Sequence, residues 1–372
     1  MKKFLTSESV TEGHPDKLCD LISDKILDAY IEKDKNSRVA CECLAGKGLI
    51  VVAGEITSKA DVNIEEIVRN TIKTIGYDNE KIDIDYRTCK VIINLSKQSK
   101  DIEKGINKNK ELGAGDQGIV FGYATNETKN YLPMPIYLAH KLASKLTEVR
   151  KNKKISYLKP DGKVQVTIEY NNDEPTRIQT ILISTQHKEN VNLEMLRKDI
   201  INKVVKQVVE EKLIDNNTQF IINPAGRFVI GGPLGDTGLT GRKIILDTYG
   251  GFSKHGGGAF SGKDPTKIDR AGAYMARFLA KNIVANKLAE KCEIQISYGI
   301  GLVTPIAVTV DTFGTGAIDD EEIAKIIVNK FDLSPVGIIN FLKLKRPIYA
   351  KTTNYGHFGK QYFSWEKIIK IV

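Results

Sequence analysis

No run of eighteen consecutive apolar residues occurs anywhere in the 372 residues of this chain. A helix that crosses a membrane needs about twenty such residues, so the sequence predicts no membrane span. The N-terminus carries Lys2 and Lys3 but turns polar after Leu5, which is too early for the apolar core of a signal peptide. We therefore expect a cytoplasmic protein with no membrane partner.

Cysteine pairs and the common hydrolase motifs are also missing. The five cysteines form no C-x-x-C pair, whereas structural zinc sites need closely spaced ligands, so we expect reduced and mostly buried thiols. There is no H-E-x-x-H, no G-x-S-x-G and no evident nucleophile–base triad. The chain is therefore expected to hold a charged leaving group rather than to form a covalent intermediate.

Basic residues outnumber acidic ones, 55 to 46, which gives a net charge of +9. The lysines are interspersed with acids, and no arginine-rich helix, RNP-like motif or C2H2 spacing is present. We predict no nucleic-acid partner. Nucleic-acid binding stays open as an alternative that rests on charge alone, and steep salt dependence of binding would support it.

Hydrophobic periodicity indicates the element order β-α-β-β-α-β three times, which predicts an α+β fold of three similar domains. The expected domains are residues 1–98, 113–230 and 231–372. The polar, lysine-rich segment at 99–112 is expected to be mobile, either as a gating loop, which we favour, or as a linker. The first copy has only a weak opening strand at Phe4–Leu5. The third copy is expected to open with a strand at Lys243–Tyr249. Its final strand is not evident from the pattern.

Two glycine-rich motifs resemble nucleotide-binding loops but stand in the wrong context. Gly257–Asp264 matches the Walker A pattern except at its last position, where Asp264 replaces Ser or Thr. No buried strand precedes it and no helix follows directly. Gly113–Gly118 matches G-x-G-x-x-G, but a strand follows it rather than a helix. Neither a P-loop nor a Rossmann site is therefore expected.

Charged residues beside other glycines nevertheless indicate a polyphosphate with its metal. Gly231–Lys243 adds Arg242 and Lys243, which suit phosphate oxygens. His14 and Asp16 stand where a helix begins, a position that favours anions. Asp16 and Asp269 each begin the first helix of a repeat. If the domains pack around a common axis, these two aspartates could converge as metal ligands.

Seven segments spread over the whole chain closely resemble the S-adenosylmethionine synthetases, or methionine adenosyltransferases. They read GHPDK (13–17), GEIT (54–57), KQS (97–99), GAGDQG (113–118), NPAGRF (223–228), GGPLGDTGLTGRK (231–243) and GGGAFSGKDPTKID (256–269). The resemblance implies three βαββαβ domains about a pseudo-threefold axis. It also implies that ATP and L-methionine form S-adenosylmethionine, and that the released triphosphate is hydrolysed to pyrophosphate and phosphate.

The same resemblance implies two magnesium ions and one potassium ion per site, and a homodimer with shared sites assembled as a dimer of dimers. It assigns leaving-group and catalytic roles to His14, Lys163, Arg242 and Lys243. The implied ATP contacts are those four with Asp161, Arg227, Phe228, Asp236, Ala259 and Lys263. The implied methionine contacts are Glu55, Gln98, Asp236, Lys267 and, from the neighbouring subunit, Asp116. The implied metal ligands are Asp16 and Asp269 for magnesium and Glu42 for potassium.

In this reading the nucleophile is a neutral thioether, which needs no general base. One alternative of another enzyme class stays open, a magnesium-dependent ATPase or phosphotransferase built on the same glycine-rich segments. That alternative predicts ADP or AMP as a product, whereas the main hypothesis predicts no adenine nucleotide product.

Overall fold

The computed structural model describes residues 2–97 and 113–371. The N-terminal repeat contains β1 (Lys2–Val10), α1 (Pro15–Lys33), β2 (Arg38–Gly46), β3 (Leu49–Thr57), α2 (Ile64–Ile75) and β4 (Lys90–Ser96). The central repeat contains β5 (Gly118–Thr125), α3 (Met134–Lys151), β6 (Leu158–Asn171), β7 (Glu174–His187), α4 (Leu193–Lys203) and β8 (Gln219–Ile222). The C-terminal repeat contains α5 (Gly232–Gly235), β9 (Gly238–Leu239), α6 (Ile244–Asp247), α7 (Ile268–Ala285), β10 (Lys291–Tyr298), β11 (Ala307–Asp311), α8 (Asp320–Lys330) and α9 (Pro335–Phe341).

These strands form three sheets, with the orders β1-β6-β7-β8, β11-β10-β5 and β4-β3-β2-β9. The predicted α+β fold of three domains is confirmed. Each repeat also lends its first strand to another repeat: β1 pairs with β6, β5 with β10, and β9 with β2. The opening strand that seemed weak at Phe4–Leu5 is nine residues long, because β6 supplies a partner along its whole length.

The strand expected at Lys243–Tyr249 is wrong, because Ile244–Asp247 forms the short helix α6. An apolar run of this length fits a strand or a buried helical turn equally well, and periodicity alone does not separate them. Here the Asp247 N–H donates to the carbonyl of Lys243 at 3.0 Å, and Gly250 ends the turn with a φ of 64°. The strand in this part of the repeat is the two-residue β9.

Helices α1 and α7 lie inside the molecule, and both are buried around most of their circumference. Helix α7 buries even its cations, because Arg270 pairs with Asp24 at 2.6 Å and Arg277 with Glu366 at 3.0 Å. A buried charge is tolerated when such partners satisfy it. Among the described residues no helix is long and apolar enough to span a membrane. All five cysteines are buried and free, as expected.

Candidate active site

The beginning of α1 positions the first two site residues. His14 caps the helix, and its Nδ1 accepts the backbone N–H of Asp16 at 3.1 Å. The residue is 3% exposed. Burial and the positive charges of Lys243 and Lys163 lower the pKa of His14 to about 3. The imidazole is therefore neutral, and because Nδ1 accepts, the proton lies on Nε2.

Asp16 connects this helix end to the C-terminal repeat. Its Oδ1 accepts the N–H of Leu239 at 2.9 Å, and its Oδ2 lies 2.5 Å from Nζ of Lys243. Burial alone would raise the pKa of Asp16, but the hydrogen bonds from Lys243 and Leu239 outweigh it and hold the pKa below its usual value. Nε of Arg242 lies 3.9 Å from the same carboxylate. The Asp16 carboxylate therefore lies close to both Arg242 and Lys243, the two cations predicted in this segment.

Lys163 completes what we call the α1 cluster, which consists of His14, Asp16, Lys163, Arg242 and Lys243. It comes from β6, opposite Val10 at the end of β1, and is close enough to affect the titration of His14. The pairing of β1 with β6 thus delivers a lysine of the central repeat to the beginning of α1. All four residues predicted to stabilise the leaving group are brought together here.

Three further residues are predicted ATP contacts. Asp161 is buried, its Oδ2 accepts the N–H of Gly232 at 2.9 Å, and burial raises its pKa to about 6. Asp236 lies exposed at the end of α5. Arg227 is largely exposed and lies 3.3 Å from Glu189.

The predicted Phe228 is fixed by its backbone. His187 donates its N–H to the Phe228 carbonyl at 2.9 Å and receives the Phe228 N–H on Nε2 at 3.0 Å. The half-buried ring is therefore held at a defined place on the loop that follows β8.

The glycine-rich segment before α7 is a wall rather than a P-loop. Asp264, the position at which the Walker pattern fails, is completely buried. Its carboxylate accepts the N–H of Val39 at 2.7 Å, the N–H of Thr266 at 2.9 Å and Nζ of Lys267 at 2.6 Å. Burial opposes ionisation, but these donors hold the pKa of Asp264 below its usual value. Its role is to fasten the loop to β2.

A second group, which we call the α7 cluster, contains Glu42, Glu55, Lys263, Lys267 and Asp269. Nζ of Lys263 lies 2.6 Å from Oδ2 of Asp269, and an isolated bridge joins Lys263 to Ala40 of β2. Glu42 lies opposite Ala53, and Ala40 lies opposite Glu55. The two glutamates therefore share the exposed face of the N-terminal sheet as diagonal neighbours, about 7–8 Å apart.

The remaining predicted residues lie around these groups. Asp116 is exposed and lies two residues before Gly118. A Cβ added at Gly118 would lie 3.6 Å from Oδ1 of Asp269. Ala259 packs closely on Gly241, and a Cβ added at Gly241 would lie 2.6 Å from the Cβ of Ala259. Gln98 and the predicted gating loop at 99–112 lie outside the described residues.

Within one chain the two clusters stand at different turns of α1. Asp16 contacts Lys243, whereas the carbonyl of Lys263 accepts from Arg270, which pairs with Asp24. Asp16 and Asp24 are eight residues apart, about 12 Å along the helix axis. Asp16 and Asp269 each pair with a lysine of their own cluster. Their convergence as metal ligands therefore stays a prediction.

Sequence reasoning found Asp16 but missed that it begins a row of four aspartates on α1, which continues with Asp20, Asp24 and Asp28. All four hold segments of the C-terminal repeat. Their spacing of four residues places them on one face of the helix, and that spacing was the available signal. A charged helix face ordinarily faces solvent, so this spacing alone does not distinguish buried anchors from surface residues.

Comparison with known proteins matches three family models to successive parts of this chain. Models of the N-terminal, central and C-terminal domains of S-adenosylmethionine synthetase match residues 2–100, 111–228 and 230–367, respectively. An S-adenosylmethionine synthase from Finegoldia magna is 56% identical over an alignment of 380 residues, which covers 99% of this chain and 97% of that relative.

Proposed function

This chain belongs to the S-adenosylmethionine synthetase family, and we propose that its α1 and α7 clusters are the two halves of that family's active site. The protein is a methionine adenosyltransferase, which joins ATP and L-methionine to form S-adenosylmethionine. The finer steps of the reaction and the role of each residue belong to the proposal, as does a cytoplasmic location.

The α1 cluster serves the leaving group. In our proposal the methionine sulfur attacks the 5′ carbon of ATP in line, and triphosphate leaves as negative charge gathers on its oxygens. The observation that carries this assignment is the convergence of Lys163, Arg242 and Lys243 on the helix end capped by a neutral His14. Because Nδ1 of His14 accepts a backbone N–H, its Nε2–H is available to the leaving oxygen. Preorganised donors of this kind supply about 3–4 kcal/mol each.

Family membership makes this a metal-dependent enzyme. We propose magnesium, two ions per site, with Asp16 and Asp269 as the protein ligands. The residues fit: both are carboxylates, each already holds a lysine ammonium, and magnesium is commonly bound by one or two carboxylates plus substrate phosphates. When bound, the metal would neutralise charge on the phosphate oxygens.

The α7 cluster serves methionine and the remaining phosphates. We propose that Glu55 binds the methionine ammonium, with Lys267, Gln98, Asp236 and Asp116 as further contacts, and that Lys263 binds ATP. Asp116 lies beside the α7 cluster of its own chain, whereas the resemblance implied a contact from the neighbouring subunit. Glu42 is the proposed ligand of one potassium ion. The exposed, shared sheet face of Glu42 and Glu55 supports this assignment, since both carboxylates remain accessible to cationic groups.

We propose that a complete site draws on two chains, since one chain holds its two clusters on different turns of α1. An exposed apolar patch beside Asp116 supports a homodimer. Ile119, Leu302 and Ile306 are 46%, 49% and 65% exposed, and the last two both flank Gly299. Contiguous apolar surface of this kind marks interaction sites. Assembly into a dimer of dimers is part of the same proposal.

The test is incubation of the protein with ATP, methionine, magnesium and potassium, followed by identification of every product. We expect a sulfonium product with phosphate and pyrophosphate, and no adenine nucleotide. ADP or AMP as the stoichiometric product would instead establish the phosphotransferase alternative. Omitting methionine is the matched control, since no S-adenosylmethionine can then form.

A further inference from the structure

Helix α1 carries an aspartate at every fourth position from Asp16 to Asp28, and each accepts at least one backbone N–H from the C-terminal repeat. Asp16 holds Leu239 at 2.9 Å, Asp20 holds Gly241 at 2.9 Å, and Asp24 holds Gly262 at 2.8 Å. Asp28 holds Tyr349 and Ala350 at 2.9 and 2.8 Å. Helix α1 therefore holds several segments of the C-terminal repeat, at intervals of four residues along its length.

The segment at Asp20 is the one that leads directly to Arg242 and Lys243. Three consecutive N–H groups are held there, because Leu239 donates to Asp16, Thr240 to the carbonyl of Cys43 at 3.0 Å, and Gly241 to Asp20. Gly241 has a φ of 80° and packs against Ala259. The backbone just before the two cations thus has little freedom.

A second connection fixes the other end of this segment. Lys17 is completely buried, and its Nζ lies 3.0 Å from Oδ2 of Asp20 and also pairs with Asp247 of α6. Asp20 therefore reaches the segment directly at residue 241 and, through Lys17, at residue 247. Arg242 and Lys243 lie between these two anchors.

Arg242 has little to fix it apart from this backbone. Its side chain is 53% exposed, and its described contacts are long, 3.5 Å to the carbonyl of Thr237 and 3.9 Å to Asp16. We infer that Asp20 is a positioning residue, which sets the place of Arg242 and Lys243 at the triphosphate without touching it. This inference rests on the proposed function of those two cations.

The experiment compares Asp20→Ala with Asp28→Ala, which removes an anchor of the same type, on the same helix face, from a segment with no candidate site residue. A misplacement of about 1 Å can cost roughly 100-fold in rate, so we expect Asp20→Ala to lower kcat by about that factor. The KM for methionine should change little, and affinity for inorganic triphosphate should fall. Asp28→Ala should keep kcat near that of the unsubstituted protein.

Conservative and independent variants separate positioning from a general loss of structure. Asp20→Asn retains an oxygen that can accept the Gly241 N–H, so it should recover much of kcat. If Asp20→Ala does not fold, Gly241→Ala displaces the same segment, because its Cβ would collide with Ala259, and it should lower kcat similarly. A folded Asp20→Ala with unchanged kcat, or an equal loss in Asp28→Ala, would overturn the inference.

Hydrogen exchange keeps this test distinct from that of the proposed function. Amides of residues 239–243 should exchange faster in Asp20→Ala than in Asp28→Ala, whatever reaction the protein catalyses. Absence of S-adenosylmethionine from the unsubstituted protein would contradict the proposed function, whereas unchanged exchange at 239–243 would contradict the anchoring by Asp20.

Discussion

Replacing Lys243 with methionine removes one ammonium from the α1 cluster while keeping a side chain of similar length. Nζ of Lys243 lies 2.5 Å from Asp16, and the side chain is 17% exposed. If this ammonium stabilises the leaving triphosphate, its loss removes an interaction that grows in the transition state. The effect should therefore appear in kcat more than in the KM for methionine.

The expected magnitude follows from comparable donors. A preorganised donor to developing negative charge contributes about 3–4 kcal/mol, so kcat for Lys243→Met should fall by roughly 100- to 1000-fold. The free energy of unfolding should fall by less than this. Asp16 keeps the N–H of Leu239 but loses its charged partner, which costs about 1–3 kcal/mol for a buried acceptor.

The assay measures S-adenosylmethionine formation under saturating substrates, with urea unfolding in parallel. Lys145→Met is the matched control, because Lys145 is also a paired lysine, 2.7 Å from Glu148 and 20% exposed, outside both clusters. The control should keep its kcat. A Lys243→Met protein that turns over at the unsubstituted rate would refute the leaving-group role.

Three further predictions follow from single contacts. Asp264→Asn should lower the free energy of unfolding by about 3 kcal/mol, because it leaves Lys267 without its buried, charged partner. If urea unfolding gives the same free energy for the variant as for the unsubstituted protein, Asp264 does not fasten the loop. His14→Asn should reduce S-adenosylmethionine formation more than triphosphate hydrolysis, and equal losses would mean that His14 only shapes the site. Burial raises the pKa of Asp83 to about 6, whereas the usual Asp pKa is about 4. Between about pH 4 and pH 6 the folded state therefore binds more protons than the unfolded state, so the free energy of unfolding falls as pH rises. We would measure the free energy of unfolding of both proteins and subtract the value for Asp83→Asn from that of the unsubstituted protein. This difference should decrease by about 1–2 kcal/mol from pH 4 to pH 6, after allowance for partial exposure. A difference that stays constant would contradict the raised pKa of Asp83.

Most helices and strands could be predicted from the sequence, because hydrophobic period and turn residues are local signals. The exchange of first strands could not, since the pairing of β1 with β6 joins residues more than 150 positions apart. The strand predicted at Lys243–Tyr249 is wrong for a related reason: its turn is held by the ion pair of Asp247 with Lys17, and that distant contact is not visible in a short apolar run.

The site shows the same division. The resemblance to a known family supplied most residues of both clusters, whereas spacing alone pointed to His14, Asp16, Arg242, Lys243 and Asp269. The failed Walker position was informative, because Asp264 proved to be a buried residue that fastens the loop to β2. What the sequence could not show is that the two clusters lie on different turns of α1. That separation depends on the packing of three repeats, as does the conversion of a charged helix face into anchors for Gly241 and Gly262.

The central claim, that each active site joins the α1 cluster of one chain to the α7 cluster of another, can be tested with hybrid dimers. Lys243→Met and Asp269→Asn each inactivate one cluster, and differently tagged chains allow the hybrid to be isolated. In a symmetric dimer with shared sites, one site of this hybrid carries both defects and the other carries none, so about half of the unsubstituted activity should return. A hybrid as inactive as its two parents would show that each chain builds its site alone, and would contradict the account.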